Sequence, residues 1–368
     1  MDKSKQSLTG IALQKFKRNF WGVFSFRFIA ILIVLSLLAY VLAPDDSENA
    51  NQMHLSIHSK PPGFEVTIIS VPLDEKQPTT FYNYFSGFPN TVTEIPVNTY
   101  KIIGNIIYYE EYTDEPSLKI TKQLALNKFP GFKSIKDVEK KLIGKRQFIL
   151  GTDKYGRDVL SRMLVGSRVS LSIGFVAVFI SLIVGIFFGA ISGFYGGKVD
   201  ALVMWLVNII WSIPTLLLVI AITLALGKGF WQVFVAVGLT MWVEVARVVR
   251  GQVISVKEMQ YITAARALGY GNFRIIFRHI LPNIMAPVIV ISAANFASAI
   301  LVESGLSFLG LGAQPPIPSW GGMIKDHYSY IILGKPYLAM VPGLAIMFVT
   351  LAFMMVGNAL RDALDVKS

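Results

Sequence analysis

Cysteine is absent from all 368 residues, which excludes disulfides, thiolate metal sites and cysteine nucleophiles at once. Charge is scarce as well: Asp, Glu, Lys and Arg together make 15% of the chain, against 53% hydrophobic residues and a mean hydropathy of +0.55. A soluble globular chain is not so apolar. Histidine offers little more. His54 and His58 stand four apart, but no third ligand is in view and Lys60-Pro61-Pro62 breaks any helix they would share, so no metal site is expected. The phosphate-cradling string Gly-x-x-x-x-Gly-Lys-Ser/Thr is missing, and Gly227-Lys228-Gly229 is too short to replace it. No Ser-His-Asp or paired-carboxylate arrangement stands out. The chain is therefore expected to be non-catalytic and to bind no cofactor of its own.

The net charge of +11 raises nucleic acid as a partner. Its Lys and Arg are interleaved with membrane-length apolar runs, however, and a positive-inside distribution explains them without one. The first 27 residues carry Lys3, Lys5, Lys15, Lys17, Arg18 and Arg27 against a single Asp2, and an apolar run from Phe28 to Ala43 follows. Pro44 and the extra length contributed by Phe20 to Phe26 favour an uncleaved first helix over a signal peptide cleaved after Ala43. Further runs cover Val169 to Gly193, Ala201 to Leu226, Phe230 to Val245, Ile284 to Val302 and Tyr337 to Val356. Six spans are thus expected, each near the twenty residues a bilayer core requires. With a cytoplasmic amino terminus, the 45–148 segment and the 304–336 loop lie outside. The Arg-rich 247–282 loop and the carboxyl terminus lie inside, and the basic residues of that loop agree.

The chain reads as three parts: 1–43 as tail and first span, 44–148 as an extracytoplasmic insert, and 149–368 as the main transmembrane domain. The insert alternates like β-structure at Phe64 to Val71, Tyr100 to Tyr109 and Leu118 to Leu126, with a helix capped by Ser134, so a small α+β domain is expected there. The next stretch, Leu150-Gly-Thr-Asp-Lys-Tyr-Gly-Arg-Asp-Val-Leu-Ser-Arg-Met-Leu-Val-Gly-Ser-Arg, reads as an interfacial helix capped by Thr152 or Asp153. Val159, Met163 and Leu164 form one side of it, and Arg157, Arg162 and Arg168 the other.

The most informative stretch is Thr263 to Pro282. A short helix through Tyr261, Thr263, Ala264, Ala265 and Arg266 is expected to end at Gly269, which can take the left-handed conformation. Asn272 is expected to cap a second helix that stops at Pro282. Such short helices cannot bury all their own apolar surface. Ile262, Ala265, Ile275 and Ile276 are therefore expected to face another protein, or else the lipid headgroups.

Inside the spans, Glu244 and Arg247 are spaced to neutralise each other on one helix face. Asn208, Trp211, Ser212 and Pro214 fall together in the third span, where Pro214 frees a carbonyl and kinks the helix. Substrate path and helix-to-helix contact both suit them. Glu303 ends the fifth span, either solvated or lining the translocation path.

Ala264-Ala265, Gly269 and Leu281-Pro282 thirteen residues after that glycine resemble the Glu-Ala-Ala loop of bacterial ABC importer permeases, with Thr263 where glutamate is frequent. The Leu150 to Leu171 wording, and Glu303-Ser-Gly-Leu-Ser-Phe-Leu-Gly-Leu-Gly-Ala-Gln-Pro-Pro-Ile-Pro-Ser-Trp-Gly, are similar to the C-type permeases for dipeptides, oligopeptides or nickel. The resemblance implies an all-α polytopic protein with the six-helix type I ABC importer permease fold, plus the α+β insert. It implies a site in the bacterial cytoplasmic membrane and a coupling loop at Tyr261, Thr263, Ala264, Ala265, Arg266, Gly269, Leu281 and Pro282. It also implies a homologous second permease subunit, two ATP-binding subunits that carry ATP and magnesium, and an extracytoplasmic substrate-binding protein. Nickel chelates, antimicrobial peptides and glycosides stand as alternative cargoes. A secondary transporter is the competing class, although it needs midplane carboxylates or broken helices that are scarce here.

Overall fold

The computed structural model describes residues 8–73, 78, 80–115, 120–132, 134–227 and 229–364. Asp2, Lys3, Lys5, Leu118 and Lys228 lie outside the described residues. The chain divides into two compact units. One comprises residues 1–33, 169–314 and 343–368; the other comprises 34–168 and 315–342.

The first unit is helical. Among the described residues, five helices are long and apolar enough to cross a membrane: Phe20–Leu37, Val159–Tyr195, Trp231–Lys257, Asn272–Phe308 and Tyr337–Leu364. A sixth crossing is available only if Gly197–Ser212 and Thr215–Leu226, bent by 95° at the intervening break, are taken as one. The bend falls where Pro214 removes a backbone donor, and Pro214 occupies the cap position of the second piece. These six are spans 1 to 6 below, the bent pair being span 3.

Close packing of spans 2 and 4 follows from a four-residue glycine repeat. Gly185, Gly189 and Gly193 face Val245, Val249 and Val253, and a Cβ at each glycine would lie 2.5, 2.8 and 2.9 Å from the opposing valine Cβ. No side chain larger than hydrogen fits, so the backbones approach as closely as small-residue repeats permit in membranes. Arg250 adds a two-pronged ion pair to Asp200 of span 3, at 2.5 and 2.6 Å. Spans 5 and 6 are joined by stacked Phe296 and Phe353, with centroids 3.8 Å apart.

The second unit contains an antiparallel five-stranded sheet in the order β4-β3-β2-β1-β5. Its strands are β1 (Phe64–Pro72), β2 (Val92–Ile103), β3 (Ile106–Glu111), β4 (Thr121–Ala125) and β5 (Ile143–Phe148). The alternation from Tyr100 to Tyr109, taken as one strand above, is a hairpin. Gly104, at φ +61°, and Asn105 supply a two-residue turn, and Ile103 pairs with Ile106. Ser134 caps helix Ile135–Leu142 as expected, accepting from the Lys136 amide. Ile135 and Val138 of that helix close a core with Ile69, Val97, Ile107, Tyr109 and Phe129.

The expected amphipathic surface helix at Val159 does not exist as a separate element. Span 2 begins there, and Asp158, not Thr152 or Asp153, receives the Ser161 amide at 2.8 Å. Arg157 and Arg162 are buried rather than turned outward. Buried Asp153 explains this: its carboxylate accepts from Arg157 Nε at 2.7 Å and from the Tyr155 and Arg157 amides at 2.8 and 3.0 Å. Arg162 Nε lies 3.8 Å from the same carboxylate. Thr152 Oγ1 accepts from the Lys60 amide at 2.9 Å. Helix Trp320–His327 belongs to the same unit, and Trp320 Nε1 donates to the Met163 carbonyl at 3.1 Å. Burial pushes the His327 imidazole below its usual pKa, against the opposing pull of its Met323 hydrogen bond, Asp153 and Asp326.

Removing the buried acid strands two buried guanidinium groups, a loss of about 3–5 kcal/mol for a broken buried pair. Asp153→Ala is therefore expected to reduce folded, membrane-inserted protein sharply, as measured by the yield and melting temperature of the detergent-purified chain.

Candidate functional site: the loop between spans 4 and 5 and the bend of span 3

Helix Gln260–Ala267 opens the loop, and its end is built as a Schellman turn. The Gly269 amide donates to the Arg266 carbonyl at 2.9 Å and the Tyr270 amide to the Ala265 carbonyl at 3.2 Å, with Gly269 at φ +77°. A Cβ at Gly269 would meet nothing within 4 Å, so the glycine is required by backbone conformation and not by space.

Two expectations about this loop are corrected. Asn272 is the first helical residue rather than the cap, which is Gly271. The second helix does not stop at Pro282. Ile276–Ile280 is a π-turn in which the Leu281 amide donates to the Ile276 carbonyl, and Leu281–Phe308 continues directly. The wider turn re-routes the hydrogen-bond ladder before the proline, whose missing N–H then falls in the first turn of the next helix, where it costs little. From Asn272 onward the loop is thus continuous with span 5.

The apolar face was also misplaced. Ile262, Ala265, Ile275 and Ile276 face neither another protein nor headgroups: they are buried with Ile280 and Ile284 against Val245, Val249 and Val253 of span 4 and Ala190 and Phe194 of span 2. Alternation within the short helices leaves a different set outside. Tyr261, Thr263, Ala264, Arg266 and Pro282 are exposed, Leu281 is half-buried, and the large exposed side chains are Leu268, Phe273 and Phe277. Phe273 is 73% exposed, and its ring lies 4.3 Å from that of Phe277. Exposed aromatics one turn apart make an apolar patch on the surface of the loop. They were legible in Phe273-x-x-x-Phe277, a spacing that sets both on one helix face.

At the span 3 bend, Asn208, Trp211, Ser212 and Pro214 are all exposed. Ser212 Oγ donates to the Ile209 carbonyl at 2.7 Å. The expected Glu244–Arg247 pair does not form. Arg247 Nη2 donates to Asn208 Oδ1 at 2.8 Å, and the guanidinium sits 3.7 Å from the centre of the Trp211 ring. Glu244 remains on the exposed side of span 4. Glu303, in contrast, is fully buried within span 5 and accepts from Ser307 Oγ at 2.6 Å. The two halves of the expected path lining therefore differ: the residues at the bend are open and Glu303 is enclosed. Among the described residues no group of three His, Asp or Glu side chains is placed to hold a metal; His54 instead lies 3.1 Å from Glu94.

Comparison with known proteins identifies the family. Residues 185–367 match the family described as "Binding-protein-dependent transport system inner membrane component", and residues 7–62 match the "N-terminal TM domain of oligopeptide transport permease C". The dipeptide transport system permease protein DppC of Alkalihalophilus pseudofirmus is 45% identical over 59% of this chain and 71% of its own length. The oligopeptide transport system permease protein OppC of Bacillus subtilis is 40% identical over 59% and 71%. The glutathione transport system permease protein GsiD of Pectobacterium atrosepticum is 39% identical over 59% and 72%. Among solved structures, an inward-facing methionine ABC transporter, MetNI, aligns with 55% of this chain and 95% of its own at 18% identity and a TM-score of 0.46. The chain belongs to the binding-protein-dependent transport system inner membrane components, within the group of dipeptide and oligopeptide transport permeases.

Proposed function

We propose that the chain is the membrane-spanning permease subunit of an ATP-driven importer of di- or oligopeptides in the bacterial inner membrane. It would work with a homologous second permease, two ATPase subunits and an extracytoplasmic binding protein. The observation that carries this reading is the loop between spans 4 and 5. Its Leu268, Phe273 and Phe277 are exposed, while its isoleucines are packed into the same core as spans 2 and 4. An element that presents aromatic side chains among exposed Arg266, Arg274 and Arg278 on its outside, and is packed into the spans on its inside, would transmit a push from a partner to the spans. Tyr261, Thr263, Ala264, Ala265, Arg266, Gly269, Leu281 and Pro282 form this coupling loop, in which Thr263 contributes an exposed hydroxyl and no charge.

Closure of the ATPases on ATP would displace the loop. The π-turn would then pass the displacement to span 5 as a rigid body, giving alternating access with no covalent chemistry on this chain. Asn208, Ser212 and Pro214 would line the path at the span 3 bend. Arg247, clamped by Asn208 and Trp211, holds a positive charge there for peptide carboxylates. Glu303 would support the fold around the path from inside. Both termini and the 247–282 loop would face the cytoplasm, with 44–148 outside as an insert and 149–368 as the permease domain.

Reconstitution of the four kinds of subunit into proteoliposomes tests this. Uptake of a labelled dipeptide is expected to require ATP and the binding protein. Uptake driven by a proton gradient without ATP would instead identify a secondary transporter.

A further inference from the structure

The segment Phe81-Tyr-Asn-Tyr-Phe-Ser-Gly-Phe88, between β1 and β2, puts five aromatics into eight residues and carries no charge. Phe81 and Tyr82 are 76% and 69% exposed, and Tyr84 and Phe85 are about half exposed. The rings cluster, with Phe81 6.0 Å from Tyr84 and 5.8 Å from Phe85, and Tyr84 5.2 Å from Phe88. An exposed aromatic cluster of this kind marks a surface that something covers.

The backbone of the segment is held against the outer end of span 1. Helical hydrogen bonding continues past Leu37 to Ala43, so Tyr40 lies within the last turn of the apolar run. Gly87 presses on that turn: a Cβ there would lie 3.0 Å from the Tyr40 ring and 2.6 Å from Glu48 Cα. The Phe88 amide donates to the Asp46 carbonyl at 2.9 Å. Arg168 fastens the other side, with Nη1 donating to the Phe85 carbonyl at 2.6 Å and its guanidinium 5.1 Å from the Tyr40 ring centre. Leu37, Leu38, Val41 and Leu42, around Tyr40, expose their side chains.

We infer that the Phe81–Phe88 loop is a lipid-binding surface, seated in the headgroup and upper acyl region of the outer leaflet. The inference rests on span 1 crossing the bilayer. Tyr40 stands within about 5 Å of the end of the apolar helix at 1.5 Å rise per residue, so a loop touching its ring lies at the depth where aromatic belts form. The patch adjoins the exposed leucines of the same turn, and that continuity selects lipid over a protein partner. The absence of charge suits immersion at that boundary. The loop thereby ties the β-sheet to the bilayer surface at a point separate from the spans themselves.

The cysteine-free chain allows a direct test with F81C, F85C and L42C, each carrying a nitroxide, in the assembled complex in phosphatidylcholine nanodiscs. All three sites are exposed, so the labels displace no core contact. Collision with oxygen several-fold above collision with a water-soluble nickel chelate is expected at 81 and 85, as at 42. Preference for the nickel chelate at 81 and 85 with 42 in lipid overturns the inference alone. The same preference at all three overturns the span 1 assignment with it. Exclusion of both probes at 81 and 85 shows a protein partner covering the loop, and equally overturns the inference.

Discussion

Gly269→Val is expected to leave the chain inserted and assembled while cutting ATP-coupled peptide uptake about tenfold or more. Gly269 sits at φ +77° with open space where a Cβ would go. The penalty is therefore purely one of backbone strain, about 1–3 kcal/mol for a side chain held in this region, and a factor of ten corresponds to about 1.4 kcal/mol. The chain has a way to relieve that strain. The Schellman bonds at Gly269 and Tyr270 can open, which changes the angle between helix Gln260–Ala267 and the helix beginning at Asn272. The buried isoleucine core lies below the turn and holds the spans together, so insertion survives while the docking geometry does not. Gly269→Asn separates this account from a general loss of the loop, because asparagine tolerates the left-handed region. It is expected to retain most uptake. Equal failure of the Asn and Val variants in the proteoliposome assay would contradict the backbone argument.

Phe273→Ala is expected to weaken association with the ATPase subunits about 30-fold or more while leaving the melting temperature of the isolated chain unchanged. An aromatic anchor at the centre of an interface is worth about 2–4 kcal/mol on truncation. The same ring, 73% exposed in the chain alone, contributes little to folding. Ile275→Ala, two residues along and fully buried, provides the opposite signature. It removes core volume at a cost of about 2–5 kcal/mol and is expected to reduce stability first. Binding affinity measured by titration of purified ATPase onto the chain in nanodiscs, alongside thermal unfolding of both variants, reads the two effects separately.

The legible part of this fold is what local chemistry dictates. Apolar run length located the spans, Pro214 located the bend, and Gly269 located the end of the first loop helix, because each depends on a property of the residue itself. Three features depended on non-local neighbours and were read differently from sequence. Pro282 looked like a helix stop, but a π-turn moved it into a first turn where proline is tolerated. The loop isoleucines looked like docking residues because the short helices alone cannot bury them; the valines of span 4, brought close by Gly185, Gly189 and Gly193, do so. Arg157 and Arg162 looked solvated because an amphipathic pattern does not reveal that Asp153 is itself buried and gathers them. The same limit applies at the candidate site. Spacing joined Glu244 to Arg247, whereas the bend of span 3 brings Asn208 and Trp211 to the arginine from another helix. Sequence spacing sees one helix at a time.

On the function proposed above, the exposed face of the 261–282 loop meets the ATPase on the cytoplasmic side and moves with its cycle. The lack of native cysteine makes the direct measurement simple. T263C, at an exposed position that leaves Phe273 and Phe277 in place, is to be cross-linked in the full complex to single cysteines placed across the surface of the ATPase, with and without ATP. T263C is predicted to give a specific cross-linked product whose yield changes with nucleotide. No product at any ATPase position, together with labelling of T263C by an impermeant thiol reagent added from the side of the binding protein, would overturn this reading.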